Sequence, residues 1–192
     1  MHSAEDTWLD FLEIDCLTQD LFSIEADAVA IPVNVMLNLN YTLGRTLAQR
    51  GGPELIARVQ AAARTIPDRR MKLGTATSVA TEDLPLPCKQ IVLVAWWNED
   101  TDYDRNHLYR CYAAALREAF AHRATSLALP ILGGRGGVQP QHRAAVICDL
   151  LRQFNGLKPS GSFPVTRLIF ADTAHEPLKA IENELDRRLY LP

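Results

Sequence analysis

The sequence lacks a long apolar run and a secretory leader, and both absences limit where the protein works. Among its 192 residues, no apolar stretch approaches the roughly 20 residues that span a bilayer. The N-terminal segment, MHSAEDTWLD, has neither the cationic start nor the apolar centre of a signal peptide. We therefore expect a cytoplasmic protein with no membrane partner.

Cysteine is scarce and scattered. The four cysteines form no CxxC pair and no cluster with histidine at zinc spacing; they are Cys16, Cys88, Cys111 and Cys148. No base near any of them in the sequence points to a nucleophilic thiol. We expect reduced, mostly buried cysteines that behave as small apolar side chains, and we expect neither a metal site nor a cofactor.

Neither sign of charge dominates. The chain has 20 Lys and Arg residues against 23 Asp and Glu residues, a net charge of −3. This balance does not indicate a nucleic-acid partner, although it leaves a local basic patch open. The length suits one domain over residues 1–192, with residues 1–12 as a candidate N-terminal extension.

What the chain does contain is a series of short apolar runs separated by helical patterns. The runs predict four strands that are buried on both faces, at residues 26–33, 90–97, 126–132 and 166–172. The segment EIDCL, before Asp20, is a weaker candidate for an edge strand.

Helical spacing of apolar residues predicts helices between these runs. They begin near Leu43, His107, Pro140 and Glu176. Gly51-Gly52 is expected to end the first of them, and Pro53 then suits the first turn of another. Strands that alternate with helices indicate an α/β sheet with helices on both faces.

Glycine is scarce as well, yet four of the ten glycines fall within five positions: Gly133, Gly134, Gly136 and Gly137. They lie between a predicted strand and the helix that Pro140 opens. Ligands of open α/β sheets bind beyond the carboxyl ends of strands, and the N-terminus of a helix there suits phosphate. The stretch matches neither GxGxxG nor GxxxxGK[ST], so a simple flexible turn fits it equally well.

Two polar residues flank the first predicted strand. Asp20 precedes it and is suited to accept a hydrogen bond from an exocyclic amine, such as the 6-amino group of adenine. Asn34 follows it and can orient a sugar hydroxyl with both its donor and its acceptor. Each residue also suits a structural role, Asp20 as a cap and Asn34 as a turn former.

This arrangement resembles the macro domain family, which binds ADP-ribose. The resemblance extends from about Leu17 to Tyr190. The matching segments are Asp20-Leu21, AVAIPVN at 28–34, GGPEL at 51–55, LGTATSV at 73–79, SLALPILGGRGGV at 126–138 and LIFAD at 168–172. The resemblance implies a three-layer α/β/α macro-like fold, with a mixed central sheet and helices on both faces.

The resemblance also implies roles for the residues that would hold the two ends of the ligand. Asp20 would accept the adenine amine, and Leu21 would make a backbone contact beside it. Phe170 would pack on adenine, and Asn34 would hold the distal ribose.

For the diphosphate, the resemblance implies backbone N–H donors in the glycine-rich loop, at Gly133, Gly134, Gly136 and Gly137. Arg135 is an addition to the family pattern, which usually has a small residue there. Its guanidinium would either pair with a phosphate or project into solvent.

The first loop departs from the family. Its glycine run is replaced by Leu39-Asn40-Tyr41-Thr42-Leu43, and Gly44 stands where the hydrolase branch has an aspartate that helps to activate water. Tyr41 is expected to fill space that glycines leave open. For Trp96-Trp97 we favour core packing at a strand end over stacking on a base.

Three functions fit these observations. The first is binding of ADP-ribose or a related nucleotide-diphosphate-sugar ligand, with ADP-ribose or an ADP-ribosylated macromolecule as the partner. The second is an ADP-ribosyl hydrolase that uses substrate-assisted water attack, with Asn34 as the candidate catalytic residue because it places the ribose. The third is a macro-like interaction scaffold without a pocket. The histidines are expected to be solvated surface residues, and His142 is the first to test for acid–base work.

Overall fold

The fold is known from a computed structural model of the chain, which describes residues 12–98, 104–133, 138–155 and 165–187. The predicted N-terminal extension at 1–12 lies outside these residues, apart from Leu12. The described residues form one sheet with the strands β1 (Glu13–Thr18), β2 (Ala26–Asn34), β3 (Ala76–Ala80), β4 (Cys88–Trp97), β5 (Ser126–Pro130) and β6 (Arg167–Asp172). The helices are α1 (Thr42–Thr65), α2 (Arg105–Ala121), α3 (Pro140–Asn155) and α4 (His175–Leu185), with short 3-10 helices at Leu21–Ser23 and Pro67–Arg69.

The sheet is mixed, and its strands lie in the order β1-β6-β5-β2-β4-β3. Every neighbouring pair is parallel except β3 with β4. The parallel strands therefore all finish at the same end of the sheet, which we call the carboxyl rim; Asp20, Asn34, Trp97 and Gly133 lie there. We call the opposite end, with Asp27, Lys89 and Thr125, the amino rim.

Helices cover both faces of the sheet. On one face, Leu47, Leu55 and Val59 of α1 join a buried cluster with β2 and β4. On the other face, the apolar sides of α2, α3 and α4 form a second buried cluster with the same sheet. The α/β/α layering predicted from the sequence is confirmed.

Three further details can be compared with the predictions from the sequence. The weak candidate EIDCL is an edge strand, β1, paired with β6. The expected stop at Gly51-Gly52 is confirmed, because α1 consists of two helical segments that meet at Gly52, whose φ of 69° and ψ of −168° are not helical, and the second segment starts at Pro53. Strand β3 was not predicted because its five residues, ATSVA, are mostly half-buried and form no clear apolar run.

No helix in the described part of the chain is both long and apolar enough to cross a membrane. All four cysteines are free thiols, and three of them are buried, as predicted. Burial raises the pKa of Cys111 to about 12, so its thiol stays protonated at neutral pH.

Candidate functional site at the carboxyl rim

The carboxyl rim brings three of the predicted site residues into one row. Asp20 follows β1, Gly133 follows β5, and Asn34 ends β2. In the strand order, β1 and β2 are separated by β6 and β5. At about 4.8 Å per strand spacing, this places the two ends of the row about 14 Å apart.

Asp20 caps the short 3-10 helix at Leu21–Ser23. The backbone N–H of Phe22 donates to Asp20 Oδ1 at 3.0 Å, and the Arg50 guanidinium pairs with Oδ2. The same guanidinium lies 5.7 Å from the centre of the Phe22 ring. The Asp20 side chain is 40% exposed. Because a carboxylate offers about four acceptor sites, Asp20 keeps capacity for a further donor.

Asn34 shapes the loop that follows β2. Its Oδ1 accepts from the backbone N–H of Met36 at 3.2 Å and of Asn38 at 2.8 Å. Within the described residues, its Nδ2 group has no hydrogen-bond partner, so it is left as a donor. The dual donor and acceptor role predicted from the sequence is therefore reduced to donation in this structure.

An aromatic pair lies beside Asn34. Asn34 and Trp97 are partners in the β2–β4 register, and Val35 N donates to Trp97 O at 3.1 Å. The Trp97 ring meets the Tyr41 ring edge-on, with centroids 5.3 Å apart. Tyr41 remains 41% exposed. The predicted core packing therefore fits Trp96, which contacts the buried His107 ring at 4.8 Å, better than it fits Trp97.

The packing around Gly44 leaves no room for an aspartate. A Cβ atom added at Gly44 would lie 2.7 Å from the carbonyl oxygen of Leu39 and 2.8 Å from its Cα. Both atoms belong to the backbone, so a side chain at position 44 would displace the whole loop. The close packing of the Leu39 backbone on α1 therefore requires glycine at position 44 and excludes an aspartate there.

The glycine-rich loop begins at Gly133, which is buried and has a φ of 92°. This conformation is costly for residues with a Cβ, which explains why glycine stands there. Just before it, Leu132 N donates to the hydroxyl of the buried Tyr112 at 2.8 Å. Gly134, Arg135, Gly136 and Gly137 lie outside the described residues, so their predicted phosphate contacts stay predictions.

Phe170 lies in the core. Its ring is 2% exposed and meets the ring of Tyr112 edge-on, with centroids 6.3 Å apart. It belongs to the buried cluster on the α2–α4 face, whereas Leu21 belongs to the cluster on the α1 face. The contact of Phe170 with adenine stays a prediction.

Three of the four histidines in the described part of the chain follow the prediction. His122, His142 and His175 are exposed as expected. His107 is 1% exposed, because its Nε2 bonds to the carbonyl of Trp96 at 2.7 Å and α2 packs it into the core. Burial lowers the pKa of His107, so the ring is neutral at neutral pH.

Sequence reasoning missed two charged residues at this rim, Arg50 and Arg143. Arg50 reaches Asp20 across 30 positions of sequence, a pairing that no local pattern predicts. Arg143, in the first turn of α3, is only 7% exposed. A charged residue in an amphipathic helix is ordinarily assigned to the solvent face, so the sequence pattern predicts an exposed Arg143 and gives no sign of its burial.

Comparisons with known proteins agree with this architecture. The Macro domain family profile matches residues 31–148, more than half of the chain. The chain belongs to the macro domain family. A search of curated proteins gives no match.

Solved macrodomain structures share the fold of this macro domain at low identity. A variant of the Oceanobacillus iheyensis macrodomain with ADPR is 16% identical, with a TM-score of 0.78 over 93% of this chain and 95% of that one. The Trypanosoma brucei macrodomain in complex with ADP-ribose is 15% identical, with a TM-score of 0.73 over 89% and 68%. The macro domain of ganglioside induced differentiation associated protein 2 is 15% identical, with a TM-score of 0.76 over 99% and 89%.

Proposed function

We propose that this macro domain binds ADP-ribose, or a related nucleotide-diphosphate-sugar ligand, along the carboxyl rim. The observation that carries the proposal is the row of Asp20, Gly133 and Asn34, which follow or end β1, β5 and β2 at the same rim of the sheet. A row of about 14 Å suits an extended ligand with a base, a central diphosphate and a second sugar. Two structurally similar macrodomains have been solved with ADP-ribose, which supports the same choice of ligand.

In this arrangement, the adenine amine donates to Asp20, and Leu21 lies beside the base. The diphosphate accepts backbone N–H groups from Gly133, Gly134, Gly136 and Gly137, and the Arg135 guanidinium either pairs with it or projects into solvent. The distal ribose accepts from Asn34 Nδ2. Asp20 accepts the amine in addition to Phe22 and Arg50, which its remaining lone pairs permit.

Binding fits the rim better than hydrolysis does. Hydrolysis by the family's aspartate would need an acid at position 44, where the Leu39 backbone excludes any side chain. Substrate-assisted attack would leave Asn34 to place the ribose without moving a proton. We therefore place ligand recognition first, with free ADP-ribose or an ADP-ribosylated macromolecule in the cytoplasm as the partner.

Isothermal titration with ADP-ribose tests the proposal. We expect saturable binding of one ligand per chain. Gly134→Glu should abolish it, because a carboxylate in the loop repels the diphosphate. Ala121→Glu adds the same charge at an exposed position near the amino rim and should bind normally. Absence of heat at high micromolar ligand would rule out the proposal and favour a scaffold without a pocket.

Incubation with a mono-ADP-ribosylated protein separates binding from hydrolysis. We expect the modified protein to be retained without release of free ADP-ribose. Release that depends on Asn34 would instead establish the substrate-assisted hydrolase.

A further inference from the structure

Arg143 is a largely buried charged residue that has no ion-pair partner among the described residues. It is 7% exposed, and its Nε atom is buried without a hydrogen-bond partner. In the described part of the chain, none of the ion pairs includes Arg143. Burying the Nε–H of a guanidinium without giving it an acceptor, in a residue that has no counter-charge, is unfavourable. A residue of this kind indicates a group from outside the chain that completes it.

The location of Arg143 indicates where that group binds. A Cβ atom added at Gly133 would lie 3.3 Å from Arg143 Cδ, so the arginine stem packs directly against the first glycine after β5. The same stem lies in the first turn of α3, whose N-terminal N–H groups carry partial positive charge. Arg143 and the start of α3 therefore present positive charge at the carboxyl rim.

The neighbouring polar groups do not supply the missing negative charge. Burial raises the pKa of Tyr112 above its usual range, so the phenol near Arg143 stays neutral. Its hydroxyl already accepts from Leu132 N at 2.8 Å. The Asp172 carboxylate, at the end of β6, accepts from Ala174 N at 2.9 Å and forms no ion pair with Arg143.

We propose that Arg143 is an anion-binding residue that pairs with the diphosphate of the ligand from beneath Gly133. This inference rests on the proposed function for the identity of the ligand, but the anion site itself does not. Guanidinium binds phosphate oxygens through parallel N–H···O bonds, and the buried position strengthens each of them. The chemical class of the ligand is a diphosphate.

Inorganic pyrophosphate tests the anion site without a nucleotide. We expect pyrophosphate to raise the Tm of the wild-type chain and to leave that of Arg143→Met unchanged. Without pyrophosphate, the Tm of Arg143→Met should equal or exceed that of the wild type, because methionine fills the site without an unpaired charge. Arg117→Met removes the same charge from an exposed position on α2 and should respond to pyrophosphate as the wild type does.

Two results of that experiment would overturn the inference. One is an equal rise in Tm with pyrophosphate for Arg143→Met and the wild type. The other is a ligand-free Tm of Arg143→Met well below that of the wild type, which would show that the chain itself uses the guanidinium.

Titration with ADP-ribose and with adenosine distinguishes this inference from the proposed function. We expect Arg143→Met to weaken ADP-ribose binding about tenfold or more, as for loss of a hydrogen bond to a charged group, and to leave adenosine binding unchanged. Equal ADP-ribose affinity in the two chains would refute the role of Arg143 and leave the proposed function intact. If pyrophosphate raises the Tm through Arg143 but ADP-ribose does not bind, the proposed function is wrong and the anion site at Arg143 stands. If neither ligand has an effect, both the proposed function and the anion site are wrong.

Discussion

Each rim of the sheet holds a charged side chain that the fold largely covers, Asp27 at the amino rim and Arg143 at the carboxyl rim. The Asp27 side chain is 20% exposed and accepts from Lys89 Nζ at 2.7 Å, Thr125 N at 2.8 Å and Ser126 N at 3.3 Å, and also from the Thr125 hydroxyl. Arg143 has no comparable partner among the described residues. Asp27 has hydrogen-bond donors from two other segments and therefore links neighbouring strands. Arg143 has no acceptor within the described residues, and a buried charge of this kind indicates a binding site for a ligand.

Replacement of Asp27 should give the largest change in stability. Asp27→Ala removes the acceptor shared by the start of β2, the start of β4 and the residues before β5, and it leaves donors without a partner. We expect a loss of about 3 kcal/mol in the free energy of unfolding, or about 6–12 °C in Tm. Thermal denaturation measures it. ADP-ribose affinity should stay within about twofold, since the site is at the other rim.

An unchanged Tm for Asp27→Ala would show that the amino-rim hydrogen bonds contribute little. A parallel loss of ADP-ribose binding in a chain that remains folded would show that the two rims are not independent. Either result would contradict the division between a structural charge at the amino rim and a ligand-binding charge at the carboxyl rim.

The contribution of Asp27 should depend on pH. Hydrogen bonds from Lys89 and Thr125 hold the pKa of Asp27 well below its usual range. A lowered carboxyl pKa adds stability above the unfolded-state pKa, about 4, and this stability is lost as the pH falls toward the folded-state pKa. We therefore expect the gap in unfolding free energy between wild type and Asp27→Asn to be full at neutral pH and to shrink progressively below about pH 4. Urea denaturation at several pH values measures it, and a gap that widens in acid would contradict this account.

Asn34→Ala should weaken ligand binding at the carboxyl rim. It removes the Nδ2 donor and also the oxygen that organises Met36 and Asn38. We expect ADP-ribose affinity to fall about tenfold, because one hydrogen bond to the ligand is lost and the loop after β2 loses its organising acceptor. Asn34→Asp keeps the oxygen that organises the loop, but it removes the donor and adds a negative charge, so a loss of affinity in this variant reports both changes together. If Asn34→Asp binds as tightly as the wild type, Asn34 acts through the loop and its donor is unimportant.

Tyr41→Ala should have the smallest effect. The Tyr41 ring packs edge-on against Trp97, the register partner of Asn34, and is 41% exposed, so it makes only a partial contact at the rim. We expect ADP-ribose affinity to change less than about threefold, because the loss of an exposed edge-on aromatic contact changes the binding free energy only slightly. Titration of Tyr41→Ala beside Tyr41→Phe measures it. A gain of more than tenfold in Tyr41→Ala would contradict this prediction and show instead that the ring blocks the site, the role that the sequence of the first loop indicated for Tyr41.

Much of the fold could be predicted because buried parallel strands have a simple signature. Continuous apolar runs located β2, β4, β5 and β6, and the alternation with helices gave the layering. Strand β3 pairs only at an edge and needs no such run. The break in α1 at Gly52 could also be predicted, because a Gly-Gly pair followed by proline is typical of the end of one helix and the start of the next.

The candidate site was less predictable, because its charges are set by contacts between distant segments. Asp20 and Asn34 could be singled out by their places at strand ends. The partner of Asp20 is Arg50, on a different element. The burial of His107 depends on a bond to Trp96, and that of Arg143 on contact with Gly133, and neither is encoded in local spacing.

A structure of the chain bound to ADP-ribose tests the central claim most directly. The account predicts adenine beside Asp20, the diphosphate over Gly133 with Arg143 in contact with it, and the distal ribose at Asn34. A ligand held at the amino rim beside Asp27, or a diphosphate that Arg143 does not touch, would contradict it.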